Sequence, residues 1–238
     1  MKRAIVIGAS SGIGKELAIV LSRNGFVVGI TGRRVDLLEE LKSDLPNPAF
    51  SKQMDISDHS NAMDLLENLI EEMGGADLIV ISAGIGFINS DLSWEEEKKT
   101  IDVNVSGFAA MANVAFRHFV QAGQGHLVGI SSIAAIRGSG EAPAYSASKA
   151  FISNYLEGLR ISVSKAGLPI VVTDIQPGFV DTAMAKGEGL FWVASPQEAA
   201  RQIHKAIQRK SKHAYVTKRW SVIGLLLRVI PDFLYSKL

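Results

Sequence analysis

The chain of 238 residues contains no cysteine. That excludes disulfides, thiolate zinc sites and a cysteine nucleophile, and it leaves the compartment open, because a disulfide-free protein can fold anywhere. An excess of one charge is also missing. There are 25 Lys and Arg against 24 Asp and Glu, a formal net charge of +1, so no whole-chain argument for nucleic acid arises. Long hydrophobic runs are absent. Nothing approaches the ~20 apolar residues of a membrane span, and Arg228 interrupts the longest candidate, Val222 to Ile230. The apolar run after Met1-Lys2-Arg3 stops at Gly8, too short for the core of a signal peptide. The histidines show no paired ligand spacing, so no metal site is expected. With 47% hydrophobic and 21% charged residues, the chain is too apolar for disorder. A soluble cytoplasmic protein without nucleic-acid partners is the expectation.

What is present is alternation. Short β-branched runs at Ala4–Ile7, Val27–Thr31, Ala49–Met54, Leu78–Ser82, Leu127–Ser131, Ile170–Asp174 and Ala214–Thr217 read as strands. Between them, helical patterns run over Ile13–Asn24, Val35–Asp44, His59–Met73, Ser93–Gln121, Ala144–Lys165 and Pro196–Lys210. Asp58 and Ser195 occupy N-cap positions, and Pro196 suits a first helical turn. Most strand runs are continuously apolar, as in strands covered on both faces. The pattern predicts an α/β fold: a doubly wound parallel sheet of about seven strands with helices on both faces. There is no repeat, no low-complexity segment and no linker, so residues 1–238 read as a single domain.

The first strand leads into Gly8-Ala9-Ser10-Ser11-Gly12-Ile13-Gly14, and a helix follows. Glycines at a strand-to-helix turn allow the backbone to approach a pyrophosphate, and the helix N-terminus offers it free N–H groups. The second strand ends in Thr31-Gly32-Arg33-Arg34, where an NAD-specific site usually carries an acid. A guanidinium fork suits a 2′-phosphate, so Arg33 and Arg34 favour NADP(H).

Tyr145 and Lys149 stand at i and i+4 of a predicted helix, and Ser132 lies at the end of a predicted strand. An ammonium beside a phenol favours the phenolate, so Lys149 is expected to lower the Tyr145 pKa from about 10. On its own this spacing is weak, recurs by chance and fits an ordinary amphipathic helix better. Combined with the glycine loop, it resembles the classical short-chain dehydrogenase/reductase family, over Ala4 to about Met184.

The resemblance implies a Rossmann-like fold and an NADP(H)-dependent oxidoreductase that reduces a small carbonyl compound to an alcohol, reversibly. It implies catalytic roles for Ser132, Tyr145 and Lys149, with Asn104 in Asn104-Val105-Ser106-Gly107 holding a water that continues a proton relay. Asp55-Ile56 resembles the pair that contacts adenine. Ala83-Gly84 matches the end of the family's Asn-Asn-Ala-Gly. Pro177, Gly178, Val180 and Thr182 resemble the element that holds the nicotinamide amide. Gly8, Ser10, Ser11, Gly12, Ile13 and Gly14, with Tyr145 and Lys149, complete the expected cofactor contacts. The chain departs from the pattern in three places. Ile7 replaces a threonine that ties the loop to nearby backbone, and Ile81-Ser82 replaces Asn-Asn. Ser11 stands where a basic residue is frequent.

Phe179, Met184, Leu190, Phe191 and Trp192 follow the nicotinamide element, where the family covers its substrate. The resemblance implies an apolar substrate, and core packing explains the same residues nearly as well. The segment from about 218 to 238 is densely apolar and flanked by cations. It fits either an interfacial helix on a membrane surface or packing on the protein itself. Ala109, Ala110 and Ala112 would allow the close helix pairing of a homodimer or homotetramer. A non-catalytic NADP(H) sensor on the same fold is the competing function.

Overall fold

The computed structural model describes residues 1–184 and 191–236. Seven strands form one parallel sheet: β1 (Arg3–Ile7), β2 (Val27–Gly32), β3 (Ala49–Gln53), β4 (Leu78–Ile81), β5 (Gly125–Ile130), β6 (Ile170–Pro177) and β7 (His213–Val216). Their order is β3-β2-β1-β4-β5-β6-β7, with every neighbouring pair parallel. The chain winds outward from β1 to β3, then restarts at β4 on the other side. The crevice at the strand ends between β1 and β4 is therefore the topological switch point, where such sheets take ligands.

Period-2 alternation feeds two cores. On β1, Ile5 and Ile7 enter one apolar cluster with Leu66, Phe108, Leu127 and Ile152. Ala4 and Val6 enter the opposite cluster with Leu17, Ile30, Ile175 and Ile203. The helices between strands are α1 (Gly12–Arg23), α2 (Val35–Asp44), α3 (His59–Glu72), α4 (Trp94–Ile101), α5 (Phe108–Ala122), α6 (Pro143–Ala166) and α7 (Pro196–Gln208). Ser195 caps α7 by accepting from the Glu198 N–H at 3.2 Å. Asp58 sits at the cap of α3 but makes no side-chain cap bond.

The expected continuous helix over Ser93–Gln121 is broken. A π-helical turn, Asp102–Gly107, separates α4 from α5. It ends where the packing is tight: a Cβ at Gly107 would lie 2.5 Å from the Ile56 carbonyl oxygen, so the turn presses against the segment after β3. Such turns gather at functional sites, and this one carries Asn104. Strand β6 runs past its expected end at Asp174 because β7 pairs with it as far as Pro177. Ala112 is fully buried in this chain's own core, which removes it from the small residues expected to face a second copy.

Two further helices follow β7: α8 (Trp220–Val229) and α9 (Asp232–Tyr235). The second of them fastens to the loop after β5. Arg137 pairs with Asp232 at 2.5 Å, and the Tyr235 hydroxyl donates to the Gly138 carbonyl at 2.7 Å. Among the described residues no helix is long and apolar enough to cross a membrane.

Candidate active site

The glycine loop is tight for reasons of atomic space. Gly8 and Gly12 adopt φ of +89° and +58°, a region that L side chains avoid. A Cβ at Gly8 would lie 2.5 Å from the Ala83 nitrogen, and one at Gly14 would lie 2.2 Å from the Gly8 carbonyl. The N-terminus of α1 thus sits directly over the end of β1. With Ile7 in place of threonine, the loop leans on backbone: the Gly8 and Ala9 N–H groups both donate to the Thr31 carbonyl, at 3.0 and 2.8 Å.

Arg34 closes the other side. Its guanidinium donates to Ser10 Oγ at 2.9 Å and to Ser11 Oγ at 2.7 Å. Arg33 is exposed and faces Asp55 electrostatically. Burial alone would raise the Asp55 carboxyl, but hydrogen bonds from Ser57 and the Arg33 charge hold it below its usual value. Gly12 also meets Thr182, whose Cγ2 would lie 3.1 Å from an added Cβ. The segment Pro177–Thr182 therefore folds over the glycine loop. Val180 is buried and bridges Ala194. Met184 is exposed, and Leu190 lies outside the described residues.

Ser132, Tyr145 and Lys149 meet at the ends of β5 and α6. Ser132 follows β5, accepts from the Ala134 N–H at 3.1 Å and is 8% exposed. Lys149 is 4% exposed. Its Nζ donates to the Ile130 carbonyl at 3.0 Å and lies 5.6 Å from the centre of the Tyr145 ring. Burial pulls the Lys149 amine down to about 8, and the Asp174 carboxylate works against that fall. Tyr145 moves the opposite way from the sequence expectation. Burial pushes its phenol above 10, while hydrogen bonding with Ser132 draws it back only in part. A helical spacing reports the neighbouring ammonium but not the loss of solvent, and here desolvation is the larger effect.

Asn104 is fully buried. Its side chain brackets the backbone of Ile85, accepting from the N–H at 2.9 Å and donating to the carbonyl at 2.7 Å, and it reaches Ser148 Oγ at 3.0 Å. This clamp braces the strand end where Ile81-Ser82 departs from Asn-Asn. Gly84 lies between Asn104 Oδ1 and Lys149 Nζ, which an added Cβ would approach at 3.3 and 3.4 Å.

A family model for short chain dehydrogenases matches residues 2–190. An uncharacterized oxidoreductase of Myxococcus xanthus is 33% identical over 242 residues, covering 99% of this chain and 95% of that protein. The chain belongs to the short-chain dehydrogenase family. It is an oxidoreductase of that family, and two solved structures share its fold. One is a 3-ketoacyl-(acyl-carrier-protein) reductase from Brucella melitensis complexed with NADH, at TM-score 0.81 and 23% identity, covering 90% of this chain and 95% of that one. The other is an alcohol dehydrogenase from Thermococcus sibiricus complexed with 5-hydroxy-NADP, at TM-score 0.78 and 23% identity, with the same coverages of 90% and 95%.

Beyond the family motifs, two contacts went unread in the sequence. Gly86 lies under Tyr145: an added Cβ would stand 2.7 Å from Cδ2 of the ring. A second glycine two residues after Gly84 was the available signal. Trp220 lies flat on Gly178, with ring atoms 2.0 Å from an added Cβ, and it joins Phe179, Phe191 and Trp192 in an aromatic cluster. Gly86→Ala is expected to displace the Tyr145 ring and lower turnover by about 10²-fold, with a stability loss of about 1–3 kcal/mol from overpacking. Steady-state kinetics alongside thermal unfolding checks it; wild-type turnover would show that the ring has room to move.

Proposed function

We propose that this short-chain dehydrogenase reduces a small carbonyl compound to an alcohol, reversibly, with NADP(H), and that residues 1–238 serve as one catalytic domain. The observation that carries the reading is a convergence. Ser132 just past β5 and the Tyr145–Lys149 face of α6 stand at the C-terminal ends of the central strands, where the glycine loop opens.

The residues present fit a phosphorylated dinucleotide. The cradle of Gly8, Gly12 and Gly14 has space that side chains would fill, and Arg34 with Ser10 and Ser11 gathers donors for an added phosphate. When bound, the cofactor supplies hydride to the substrate carbon. Asp55 and Ile56 would contact its adenine, Ile13 the pyrophosphate region, and Ala83, Gly84 and Pro177–Thr182 its nicotinamide half.

The chain's own groups then handle the proton. Ser132 donates a hydrogen bond to the substrate oxygen and orients it. Tyr145 gives that oxygen its proton, and a phenol held above pKa 10 carries one at neutral pH. Lys149 stabilises the phenolate left behind and binds the nicotinamide ribose. A water beside Asn104 would return the proton from solvent. The aromatic cluster of Phe179, Phe191 and Trp192 supports an apolar substrate.

A panel of ketones and aldehydes assayed with NADPH and NADH in parallel tests the reading. NADPH oxidation with at least one compound, faster than with NADH, is expected. NADPH binding without oxidation across the panel would favour the sensor.

A second reading concerns the surface. Val222, Leu225, Leu226 and Val229 on α8 are each more than half exposed. Arg209, Lys210, Lys212, Lys218, Arg219 and Arg228 surround them in sequence, with no acid between positions 209 and 231. An apolar stripe with cationic flanks supports contact with an anionic bilayer. Co-sedimentation with phosphatidylcholine vesicles, with and without phosphatidylglycerol, is expected to show binding only to the anionic set, lost in Leu225→Glu/Val229→Glu. If the double variant instead dissolves an oligomer and vesicles never bind, the stripe faces a second copy.

A further inference from the structure

Behind the catalytic face lies a carboxylate that no solvent reaches. Asp174, 0% exposed, stands within β6, opposite Gly129 of β5 and His213 of β7. One of its oxygens accepts a short hydrogen bond from Ser131 Oγ. The other accepts from Ser153 Oγ at 2.6 Å and from Gln176 Nε2 at 3.3 Å. Among the described residues no Lys or Arg forms an ion pair with it, and His213 Nε2 lies 3.9 Å away. A buried charge is kept only when its surroundings repay the lost hydration.

Two of the partners adjoin the site. Ser131 immediately precedes Ser132. Ser153 lies four residues beyond Lys149, as Lys149 lies four beyond Tyr145, so the three share one face of α6. We propose that Asp174 is a positioning residue: its carboxylate locks the end of β5 that carries Ser132 to the face of α6 that carries Tyr145 and Lys149. The proposal rests on the reading of Ser132, Tyr145 and Lys149 given above.

The neighbouring charges are Lys149 and Arg160 on α6, His213 on β7 and Arg228 on α8, with the Tyr145 phenol beyond. Burial, with smaller help from Arg228 and Arg160, holds His213 below its ordinary value, while Asp174 favours its charged form. Lys149 is the buried amine that Asp174 supports. Burial brings Lys149 to about 8, and Asp174 prevents a deeper fall. Without the carboxylate, Lys149 gives up its proton at lower pH.

The test pairs Asp174→Asn, which keeps the shape and removes the charge, with Ser153→Ala, which removes one clamp and keeps the charge. Lys149 is titrated in the cofactor-free protein by trace acetylation with acetic anhydride across pH, read by mass spectrometry of its peptide. NADPH affinity is followed over the same range by fluorescence. In Asp174→Asn the Lys149 midpoint is expected to fall by about one pH unit, a tenfold change in its proton equilibrium, and the alkaline loss of NADPH affinity moves with it. In Ser153→Ala the midpoint stays, while kcat falls several-fold at unchanged KM. A wild-type Lys149 midpoint in folded Asp174→Asn overturns the charge role. If that variant does not fold, wild-type kcat in Ser153→Ala overturns the positioning role. A shifted midpoint alongside full activity of Tyr145→Phe would sink the catalytic reading and leave the charge pairing intact. An unshifted midpoint with an inactive Tyr145→Phe does the reverse.

Discussion

Tyr145→Phe is expected to lower NADPH-dependent carbonyl reduction by about 10²- to 10⁴-fold, the range for loss of a general acid. That loss corresponds to roughly 3–5 kcal/mol of transition-state stabilisation. The substitution removes one oxygen and keeps the ring that packs on Gly86 and lies near Lys149. NADPH affinity should therefore remain nearly unchanged, so kcat falls while cofactor binding persists. Lys149→Met should differ in kind, losing both turnover and affinity, because Lys149 is assigned to the ribose as well as to the phenol. The pH profile separates the two groups. Tyr145 is held above 10, so it keeps its proton through neutrality. Lys149 has been drawn down to about 8. The rate of reduction should therefore hold across neutral pH and decline above about 8 as Lys149 deprotonates. Stopped-flow turnover of Tyr145→Phe beside direct NADPH titration checks the pair of expectations. Activity like that of the wild type would remove Tyr145 from the mechanism.

Features that depend on local covalent demands were legible in the sequence. A strand followed by Gly8-x-x-x-Gly12-x-Gly14 requires left-handed backbone and absent side chains, and the structure has both at Gly8 and Gly12. The i, i+4 spacing of Tyr145 and Lys149 fixes a shared helix face whatever surrounds it. The alternation of apolar strands and helices specified a doubly wound sheet, because few other arrangements bury such strands on both faces. Features created by contact between distant segments were not legible. The π turn at Asn104 ends at Gly107, where the chain packs tightly on Ile56, and nothing in the pattern from Ser93 to Gln121 announces that meeting.

The same distinction explains the miss on Tyr145. The sequence displayed an ammonium nearby, but the solvent lost to β5, Gly86 and the first turns of α6 becomes visible only on folding. Trp220 is a sharper case. An apolar C-terminal segment fitted a membrane or the protein, and the structure packs only part of it on the protein. Trp220 is 3% exposed and lies on Gly178, whereas Leu225 and Val229 are 64% and 68% exposed. The segment is thus anchored at Trp220 on Gly178 and at Asp232 and Tyr235 by the loop after β5, and its outward stripe is what the vesicle experiment addresses.

Arg34→Ala is expected to weaken NADPH binding by about 10- to 100-fold and to leave NADH binding nearly unchanged. Hydrogen bonds to charged groups contribute about 1.5–3 kcal/mol, which corresponds to that range and somewhat beyond it. The geometry distinguishes the two arginines that the sequence could not. Arg34 reaches the hydroxyls of Ser10 and Ser11 in the glycine loop. Arg33, exposed like Arg34, acts on Asp55 instead. Arg33→Ala should therefore cost less, and its effect should extend to NADH through the adenine end. Ionic strength gives an independent check, because exposed charge interactions are screened by salt. In the wild type, NADPH affinity should fall with salt more steeply than NADH affinity, and Arg34→Ala should bring the two slopes together. Calorimetric titration of both cofactors to both variants settles the assignment. An equal loss for NADPH and NADH in Arg34→Ala would mean that the residue merely braces the loop through Ser10 and Ser11, and selectivity for the phosphate would have to come from elsewhere.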